Sequence, residues 1–343
     1  MANSTNGILF DIPKFCKAGV MTQEGKDFKV EVQTVPVPEP GPNDVLIKLN
    51  CTGICHSDIH FMMGDFGYKM SSFGVKSPGH EGAGVIVKLG SLVTDWKIGD
   101  RVGIKPMWYT CQNCSYQQYV TSPSHYTLPL PDGVDDYTAG PIMCSASTIY
   151  RSIRESNLRH GQWALFPGGG GGVGIQGVQI AAALGMRPIV IDTGEDKRKL
   201  CLELGAEAFI DFKQVSDVAK EVIAIADGVG AHGVFVTAPS AYSYAIDCIG
   251  TRVGACIMAV GLPPFDDSMI VGAPPKQLIY QNLMIKGTLT ASRRDFCEAL
   301  DLAKRGKLKS VTTGVYPFDK LPEAVEMVHQ GKVAGRLVVD FNM

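Results

Sequence analysis

The feature that most constrains this chain is a run of five consecutive glycines at residues 168–172, followed by Val173 and Gly174. An apolar stretch at 163–166 precedes the run, and residues 172–184 continue with helical spacing. The run satisfies G-x-G-x-x-G, a pattern that lets the backbone approach a pyrophosphate at a helix N-terminus. A flexible glycine linker is the alternative, but linkers are seldom flanked by buried strands. The residues expected to contact a dinucleotide in this turn are Gly168, Gly169, Gly171, Gly172, Val173 and Gly174.

A single acid follows the next apolar segment. Asp192 closes the stretch at 188–192 and lies 18 residues after Gly174. A carboxylate in this place accepts hydrogen bonds from the adenosine ribose and repels a 2′-phosphate. The sequence therefore favours NAD over NADP.

The chain has two regions with different sequence patterns. Between about residues 30 and 130, short apolar runs are broken by Gly and Pro, which is typical of a compact β domain. The proline-rich stretch at 35–42 is expected to be an extended connector. From about residue 162, strands alternate with helical segments, which predicts a parallel sheet with helices on both faces. Near the end we expect a helix at 296–307 and a strand at 336–340 that returns to the first domain.

The bulk composition excludes several classes of protein. The chain has 343 residues, 45% hydrophobic and 19% charged, with a net charge of −2, so a folded globular protein of two domains is expected. Nothing here favours nucleic acid or an anionic membrane as the main partner. The first 20 residues contain no continuous apolar segment of the kind that a secretory signal requires, and no stretch is long enough to span a bilayer. We therefore expect a cytoplasmic protein, in which ten cysteines indicate metal ligands, catalytic groups or core residues rather than a disulfide scaffold.

Three separated residues are candidates for a metal site: Cys55, His80 and Cys144. Two thiolates and one imidazole leave a fourth position open, as a catalytic zinc requires. Each residue alone is ambiguous, because a lone Cys is usually a small core residue. Their occurrence beside a dinucleotide-binding pattern makes the metal interpretation the stronger one.

Several motifs, spread over nearly the whole chain, together resemble those of a known protein family. They are Cys55-His56-Ser57-Asp58-Ile59-His60, Gly79-His80-Glu81-Gly82-Ala83-Gly84, Lys88-Leu89-Gly90, Gly99-Asp100-Arg101-Val102, Pro141-Ile142-Met143-Cys144, the glycine run and Gly335-Arg336-Leu337-Val338-Val339-Asp340. Together they resemble the zinc-containing medium-chain alcohol dehydrogenases of the fungal or yeast-type branch. The resemblance implies an α/β fold with a GroES-like, β-rich catalytic domain (1–150, completed by 290–343) and a Rossmann doubly wound parallel sheet (151–289), with the active site in the cleft.

The resemblance also implies roles for individual residues. Cys55, His80 and Cys144 would bind one catalytic zinc, Glu81 would be the carboxylate that can approach the metal, and Asp58 would orient His80. The cofactor would be contacted by Lys197, Arg336, His56 and the stretch from Val260 to Leu262. Phe66 and Trp108 would form a wall of the alcohol pocket, although ordinary core packing is an equal alternative for both.

The implied reaction is NAD-dependent oxidation of an alcohol to an aldehyde or ketone, and its reverse, with Ser57 taking the proton. In many relatives a histidine eight residues after the first zinc cysteine completes the path of the proton to solvent, but here that residue is Met63. His56 and His60 are nearby candidates to replace it. A purely structural hydrogen bond is the favoured alternative for His60.

A second departure concerns the four cysteines that hold a structural zinc in relatives. Cys111 and Cys114 are present, but the third and fourth positions fall on Gln117 and His125, and about two dozen residues of the surrounding lobe are absent. Three interpretations are open: an evolutionary loss that leaves an active one-zinc enzyme, a skipped exon, or a fold retained without activity. We predict that Cys111 and Cys114 hold no zinc.

Two other functions compete with the main hypothesis. One is a zinc-free reductase of the quinone type, against which the three candidate ligands argue. The other is a catalytically impaired NAD-binding homologue, for which the missing lobe argues. The partners expected are a small alcohol or aldehyde and further copies of the chain, as a dimer or tetramer.

Overall fold

A computed structural model describes residues 10–105, 114–263, 269–331 and 333–343. Trp108 and Cys111 lie outside the described residues. Contacts divide the chain into two compact units. The first comprises Met1–Met143, Gly314–Gly331 and Leu337–Met343, and the second comprises Cys144–Thr313 and Lys332–Arg336. The sequence-based limits differ in placing all of residues 290–343 with the first domain, and those limits stay a prediction.

The elements are numbered in chain order. The strands are β1 (Phe15–Gln23), β2 (Lys29–Pro36), β3 (Asp44–Gly53), β4 (Gly82–Leu89), β5 (Arg101–Gly103), β6 (Tyr119–Pro123), β7 (Leu128–Pro129), β8 (Trp163–Pro167), β9 (Arg187–Asp192), β10 (Ala208–Asp211), β11 (Gly233–Val236), β12 (Cys256–Ala259), β13 (Met284–Gly287), β14 (Thr312–Pro317) and β15 (Arg336–Asp340). The helices are α1 (His56–Met63), α2 (Asp136–Pro141), α3 (Ser147–Glu155), α4 (Gly174–Ala183), α5 (Glu195–Glu203), α6 (Val218–Ile225), α7 (Pro275–Tyr280), α8 (Arg293–Lys304) and α9 (Leu321–His329). A π-helical turn, Ile142–Ala146, joins α2 to α3.

The first unit is built on a sheet with the strand order β14-β15-β3-β4-β5-β7, in which β6 also pairs with β3. Strand β3 pairs antiparallel with β4, β6 and β15. Val45, Ile47 and Leu49 share one face of β3 and are 0% exposed, and Leu46 on the opposite face is 1% exposed, so both faces of the strand are covered. The pairing of Val338 with Gly53 brings the C-terminal strand back to the first unit, as the sequence predicted.

The second unit contains a six-stranded sheet in the order β10-β9-β8-β11-β12-β13, and its strand pairs are all parallel. The chain leaves β8, passes through α4 to β9 on one side, and later returns to β11 on the other side of β8. The carboxyl end of β8 is therefore the switch point at which open α/β sheets bind ligands. The glycine run lies at this end, between β8 and α4. The predicted doubly wound parallel sheet is confirmed.

Two local expectations were incomplete. The hairpin of β1 and β2, in which Phe15 pairs with Pro36, was not predicted, and the expected extended connector begins only after β2. The helix expected at 296–307 begins earlier, because Ser292 and Asp295 form a capping box at its N-terminus. It ends before Gly306, whose φ of 67° interrupts a helix. Within the described ranges, no helix combines the length and apolarity needed to cross a membrane.

Candidate metal centre and nucleotide-binding turn

Cys55 lies immediately before α1, in the extended conformation typical of an N-cap residue. Asp58, in the first turn of α1, accepts a hydrogen bond from the Cys55 amide at 3.3 Å, which defines the start of the helix. A carboxylate in the first turn also complements the helix dipole. The helix ends at Gly64, which adopts a left-handed φ of 79°.

Cys144 lies in the π-helical turn between α2 and α3. Pro141, at the end of α2, has no amide hydrogen and therefore interrupts the regular helical hydrogen bonds. Single π turns inserted between α-helical segments are frequent at functional sites. This turn gives Cys144 a position that a regular helix would not provide.

His80 and Glu81 directly precede β4, and their side chains join Cys55 and Cys144 in one cluster. The four potential ligand atoms all lie within 4.8 Å of one another. Glu81 is 0% exposed. Its carboxylate occupies space that only a glycine leaves open, since a Cβ on Gly53 would lie 2.1 Å from Glu81 Oε2.

The donor set fits zinc. Thiolate, imidazole and carboxylate are the groups that bind Zn²⁺, and catalytic sites use three protein ligands and keep a further position open. A divalent cation would also offset the charge of a fully buried carboxylate beside two sulfurs. The residues present can therefore hold one zinc ion.

Asp58 fixes the ring of His80. Its Oδ1 lies 2.6 Å from His80 Nδ1 and also accepts a hydrogen bond from the Gly79 amide at 3.2 Å. Burial alone would lower the pKa of His80, but the negative charges of Asp58 and Cys55 outweigh it and raise that pKa well above its ordinary value. The Asp58 contact leaves Nε2 as the ring nitrogen available to a metal.

Ser57 lies among the candidate ligand atoms. Its hydroxyl oxygen is 3.0 Å from Cys55 Sγ and 3.3 Å from His80 Nε2. A hydroxyl at this distance can accept a proton and donate another in turn. Its role as the proton acceptor stays a prediction.

The two neighbouring histidines differ in their contacts. His60 Nδ1 lies 2.6 Å from Asp65 Oδ2, which is the structural hydrogen bond expected as an alternative for this residue. His56 is exposed, and its ring meets that of His60 edge-on with 4.8 Å between centroids. Met63, which replaces the histidine of many relatives, is the last residue of α1.

Phe66 belongs to an aromatic group that follows α1. Its ring lies 4.7 Å from Phe61, 6.1 Å from His60 and 6.3 Å from Tyr68, measured between centroids. These contacts occupy part of its surface. Its proposed place in the alcohol pocket stays a prediction, and the same prediction for Trp108 concerns a residue outside the described part of the chain.

The glycine turn brings two basic side chains over the backbone. A Cβ on Gly172 would lie 2.4 Å from Arg336 Cδ, and one on Gly170 would lie 2.8 Å from the Lys197 side chain. Only glycine leaves room for both, and two cations over a helix N-terminus favour a pyrophosphate. Gly168 has a φ of 82°, which makes the turn tight.

The other predicted residues of the turn have local roles. The amide of Gly169 donates to the Phe166 carbonyl, and the amide of Gly171 donates to that of Gly168, each at 3.0 Å. Val173 is the N-cap of α4, and Gly174 is its first residue. The helix N-terminus therefore follows the turn directly, as a phosphate site requires.

Asp192 ends β9 and is 6% exposed. Its Oδ2 accepts a hydrogen bond from the Gly170 amide at 2.9 Å, and its Oδ1 accepts one from Lys197 Nζ at 2.9 Å. The acid thus ties the turn to α5 while holding negative charge at the switch point. Val260 and Leu262 follow β12, and Leu262 is 39% exposed.

Sequence reasoning missed one polar residue of the metal centre. The hydroxyl of Tyr116 donates to Asp58 Oδ2 at 3.0 Å, and Tyr116 is 0% exposed. Burial, followed by the charge of Asp58, raises the pKa of Tyr116 well above its ordinary value, so the phenol stays protonated. No motif indicates this contact, because 58 positions separate the two residues.

The fold and the two sites define a class of protein. A parallel sheet with a glycine turn and a following acid, together with a Cys₂His cluster beside a buried carboxylate, is the arrangement of a zinc-dependent, nucleotide-linked dehydrogenase.

Comparisons with known proteins narrow this class to a family. Residues 172–305 match the family description "Zinc-binding dehydrogenase" and residues 41–132 match "Alcohol dehydrogenase GroES-like domain". The alcohol dehydrogenase of Schizosaccharomyces pombe is 38% identical over 96% of this chain and 99% of its own length. Alcohol dehydrogenase 1 of Neurospora crassa is 36% identical over 96% of this chain and 98% of its own. A solved NAD-dependent alcohol dehydrogenase superposes with a TM-score of 0.81 at 25% identity, covering 94% of this chain and 99% of that one.

The chain belongs to the zinc-containing medium-chain alcohol dehydrogenases of the fungal branch. It is an oxidoreductase, and its cofactors are zinc and NAD.

Proposed function

We propose that this enzyme interconverts a small alcohol and its aldehyde or ketone at a single zinc held by Cys55, His80 and Cys144, with Glu81 as the adjacent carboxylate. The observation that carries the proposal is the convergence of these four side chains within 4.8 Å. The cluster also favours a zinc enzyme over a zinc-free reductase of the quinone type, which has no need of these ligands.

The chain's own residues have distinct tasks in this reaction. Zinc supplies a Lewis acid that lowers the pKa of the alcohol hydroxyl, and NAD accepts the hydride. Ser57 would take the proton of the alcohol; its hydroxyl, beside the ligand atoms of Cys55 and His80, supports this role. Asp58 holds the His80 ring through Nδ1, and that orientation would leave Nε2 available to bind the metal. His60 stays a candidate for the later path of the proton to solvent.

NAD is proposed to bind at the glycine turn of the second unit. Lys197 and Arg336, which pack over the turn, would contact the ribose and the pyrophosphate. Asp192 would accept hydrogen bonds from the adenosine ribose, since its carboxylate lies at the end of β9 beside the turn. Val260 and Leu262, after β12, would lie near the nicotinamide, and the exposed His56 would contact the phosphates.

The reaction can be tested by the absorbance of reduced nicotinamide on mixing the chain with NAD and a panel of primary and secondary alcohols. The wild-type chain should reduce NAD. The Cys144→Ser substitution should lower the rate of NAD reduction to background. Cys114→Ser is the matched control and should retain activity, because Cys114 is outside the four-residue cluster. NAD binding without turnover of any alcohol would contradict the proposal and favour the catalytically impaired homologue.

We further propose that the chain acts in the cytoplasm as a homo-oligomer. Thiolate ligands persist in a reducing compartment, which supports the location. Apolar side chains that are unusually exposed precede and follow β13, the last strand of its sheet, which supports self-association through that edge. The most exposed are Ile270, Ile279 and Tyr280.

A further inference from the structure

Tyr116 lies at the centre of a segment that is hydrogen-bonded to the stretch leading to His80. The Tyr116 amide donates to the Pro78 carbonyl at 2.9 Å, and the Ser115 amide donates to that of Gly79 at 3.0 Å. The Tyr116 carbonyl in turn accepts a hydrogen bond from the Gly19 amide at 2.6 Å. These backbone hydrogen bonds therefore hold the segment in place independently of the Tyr116 side chain.

The ring of Tyr116 fits against a glycine that no other residue could replace. Gly79 has a φ of 98°, and a Cβ there would lie 2.4 Å from Tyr116 Cδ1. The ring thus passes directly beside the residue that precedes His80. This packing sets the direction in which the hydroxyl points, namely toward Asp58.

The two carboxylate oxygens of Asp58 divide their contacts. Oδ1 receives the Gly79 amide and faces His80 Nδ1, whereas Oδ2 receives the Cys55 amide at 3.3 Å and the Tyr116 hydroxyl at 3.0 Å. The phenol is thus a side-chain donor to the oxygen that does not face the histidine. A carboxylate held at both oxygens has less freedom to rotate and aligns its partner ring more strictly.

We propose that Tyr116 is a positioning residue for the zinc: its buried hydroxyl fixes the Asp58 carboxylate and, through it, the orientation of the His80 ring that binds the metal. The inference rests on the proposed zinc function and adds to it a residue outside the ligand set. Ser115 supports the same segment, because its hydroxyl accepts a hydrogen bond from the Glu81 amide at 3.2 Å. Adjacent residues of one segment therefore brace both His80 and Glu81.

The test is the zinc dissociation constant of the full chain, measured by competition with a chromophoric chelator. Tyr116→Phe removes only the hydroxyl and should weaken zinc binding by up to about tenfold, the lower end of the range for direct hydrogen-bond partners of metal ligands, because Tyr116 acts through Asp58. Tyr137→Phe is the matched control, because it also removes a hydroxyl that donates to a carboxylate, Asp340, in the same unit. It should leave the zinc dissociation constant unchanged.

Two further readouts separate positioning from general packing. The absorption bands of the cobalt-substituted protein should shift in Tyr116→Phe and not in Tyr137→Phe, since these bands depend on ligand geometry. In an Asp58→Asn background, Tyr116→Phe should have little additional effect on zinc affinity, because the pathway through Asp58 is already broken.

An unchanged zinc dissociation constant in Tyr116→Phe would overturn the inference. An equal loss of affinity on Tyr116→Phe in the wild-type chain and in the Asp58→Asn background would also overturn it. Failure of the wild-type chain to bind zinc would instead contradict the proposed function itself, so the two failures are distinguishable.

Discussion

At the residue scale, Asp192 makes structural contacts and is also predicted to select the cofactor. Its carboxylate accepts hydrogen bonds from the Gly170 amide and from Lys197, so its negative charge is partly neutralised within the turn. The remaining negative charge still opposes a second anion at the same place, because like charges in a partly buried site repel strongly. We therefore predict that Asp192 contributes to the choice of NAD over NADP.

Replacing Asp192 should change the preference for NAD over NADP. Asp192→Ser removes the charge and leaves Lys197 without this partner, so the lysine becomes available to a 2′-phosphate. We expect the ratio of kcat/KM for NAD to that for NADP to fall at least about tenfold, equivalent to about 1.4 kcal/mol. Asp196→Ser removes an exposed acid from the first turn of α5 and should leave the ratio unchanged. A ratio unaffected by Asp192→Ser would refute this role.

The limits of sequence reasoning are also visible at the residue scale. Cys55, His80 and Cys144 could be selected because sulfur and imidazole in recognisable motifs indicate a metal. Tyr116 could not be selected, because its role depends on a contact with Asp58 across 58 positions and on the glycine that admits its ring. Gly53 was not predicted for the same reason. A glycine is required there only because the Glu81 side chain is buried against it.

At the scale of elements, the predictions succeeded where the pattern was local. The strand–glycine–helix sequence of β8 and α4 and the acid at the end of β9 follow from neighbouring residues. The hairpin of β1 and β2 was not predicted, although buried and exposed residues alternate along much of both strands, because such a pattern does not show which strands pair. The π turn that carries Cys144 has five residues, which are too few to show a hydrophobic period.

The C-terminal end of α3 provides a test of stability at this scale. Glu155 accepts a hydrogen bond from Arg151 at 2.9 Å and lies 2.8 Å from Lys286 of β13. Lys286 first, and Arg151 next, lower the pKa of Glu155 to about 2. A carboxylate with a lowered pKa stabilises the fold above its unfolded pKa of about 4.3, and this contribution is lost as the pH falls toward 2.

We therefore expect Glu155→Gln to lower the free energy of unfolding by about 1 kcal/mol at pH 7. The free energies of unfolding of the two proteins, obtained from thermal melts, should differ by a constant amount from pH 8 to pH 5. They should converge at lower pH. Asp301→Asn is the control, because it breaks an exposed pair with Arg305 and should change stability little. A gap that widens below pH 4 would contradict the account.

At the scale of the whole molecule, the β13 end of the second sheet is a candidate surface for self-association. Strand β13 pairs with β12 and is the last strand in the order of its sheet. Exposed strand edges flanked by apolar side chains favour pairing with another chain. Ile279 is 77% exposed and Tyr280 is 74% exposed, both just before this strand.

Sedimentation measurements should show the wild-type chain as a dimer or a larger oligomer, and Ile279→Lys should shift it toward monomer. Leu92→Lys is a matched control, because Leu92 is 65% exposed in the first unit and far from β13 in sequence. A wild-type chain that is monomeric at micromolar concentration would contradict assembly through this edge.

The central claim, that the chain holds one catalytic zinc and no structural zinc, is tested most directly by the ratio of zinc to protein in the purified wild-type chain, measured by elemental analysis. The four side chains around Cys55 and His80 predict one zinc ion per chain. A ratio of two would assign metal to the remaining cysteines, and a ratio of zero would remove the catalytic ion on which the proposed chemistry depends.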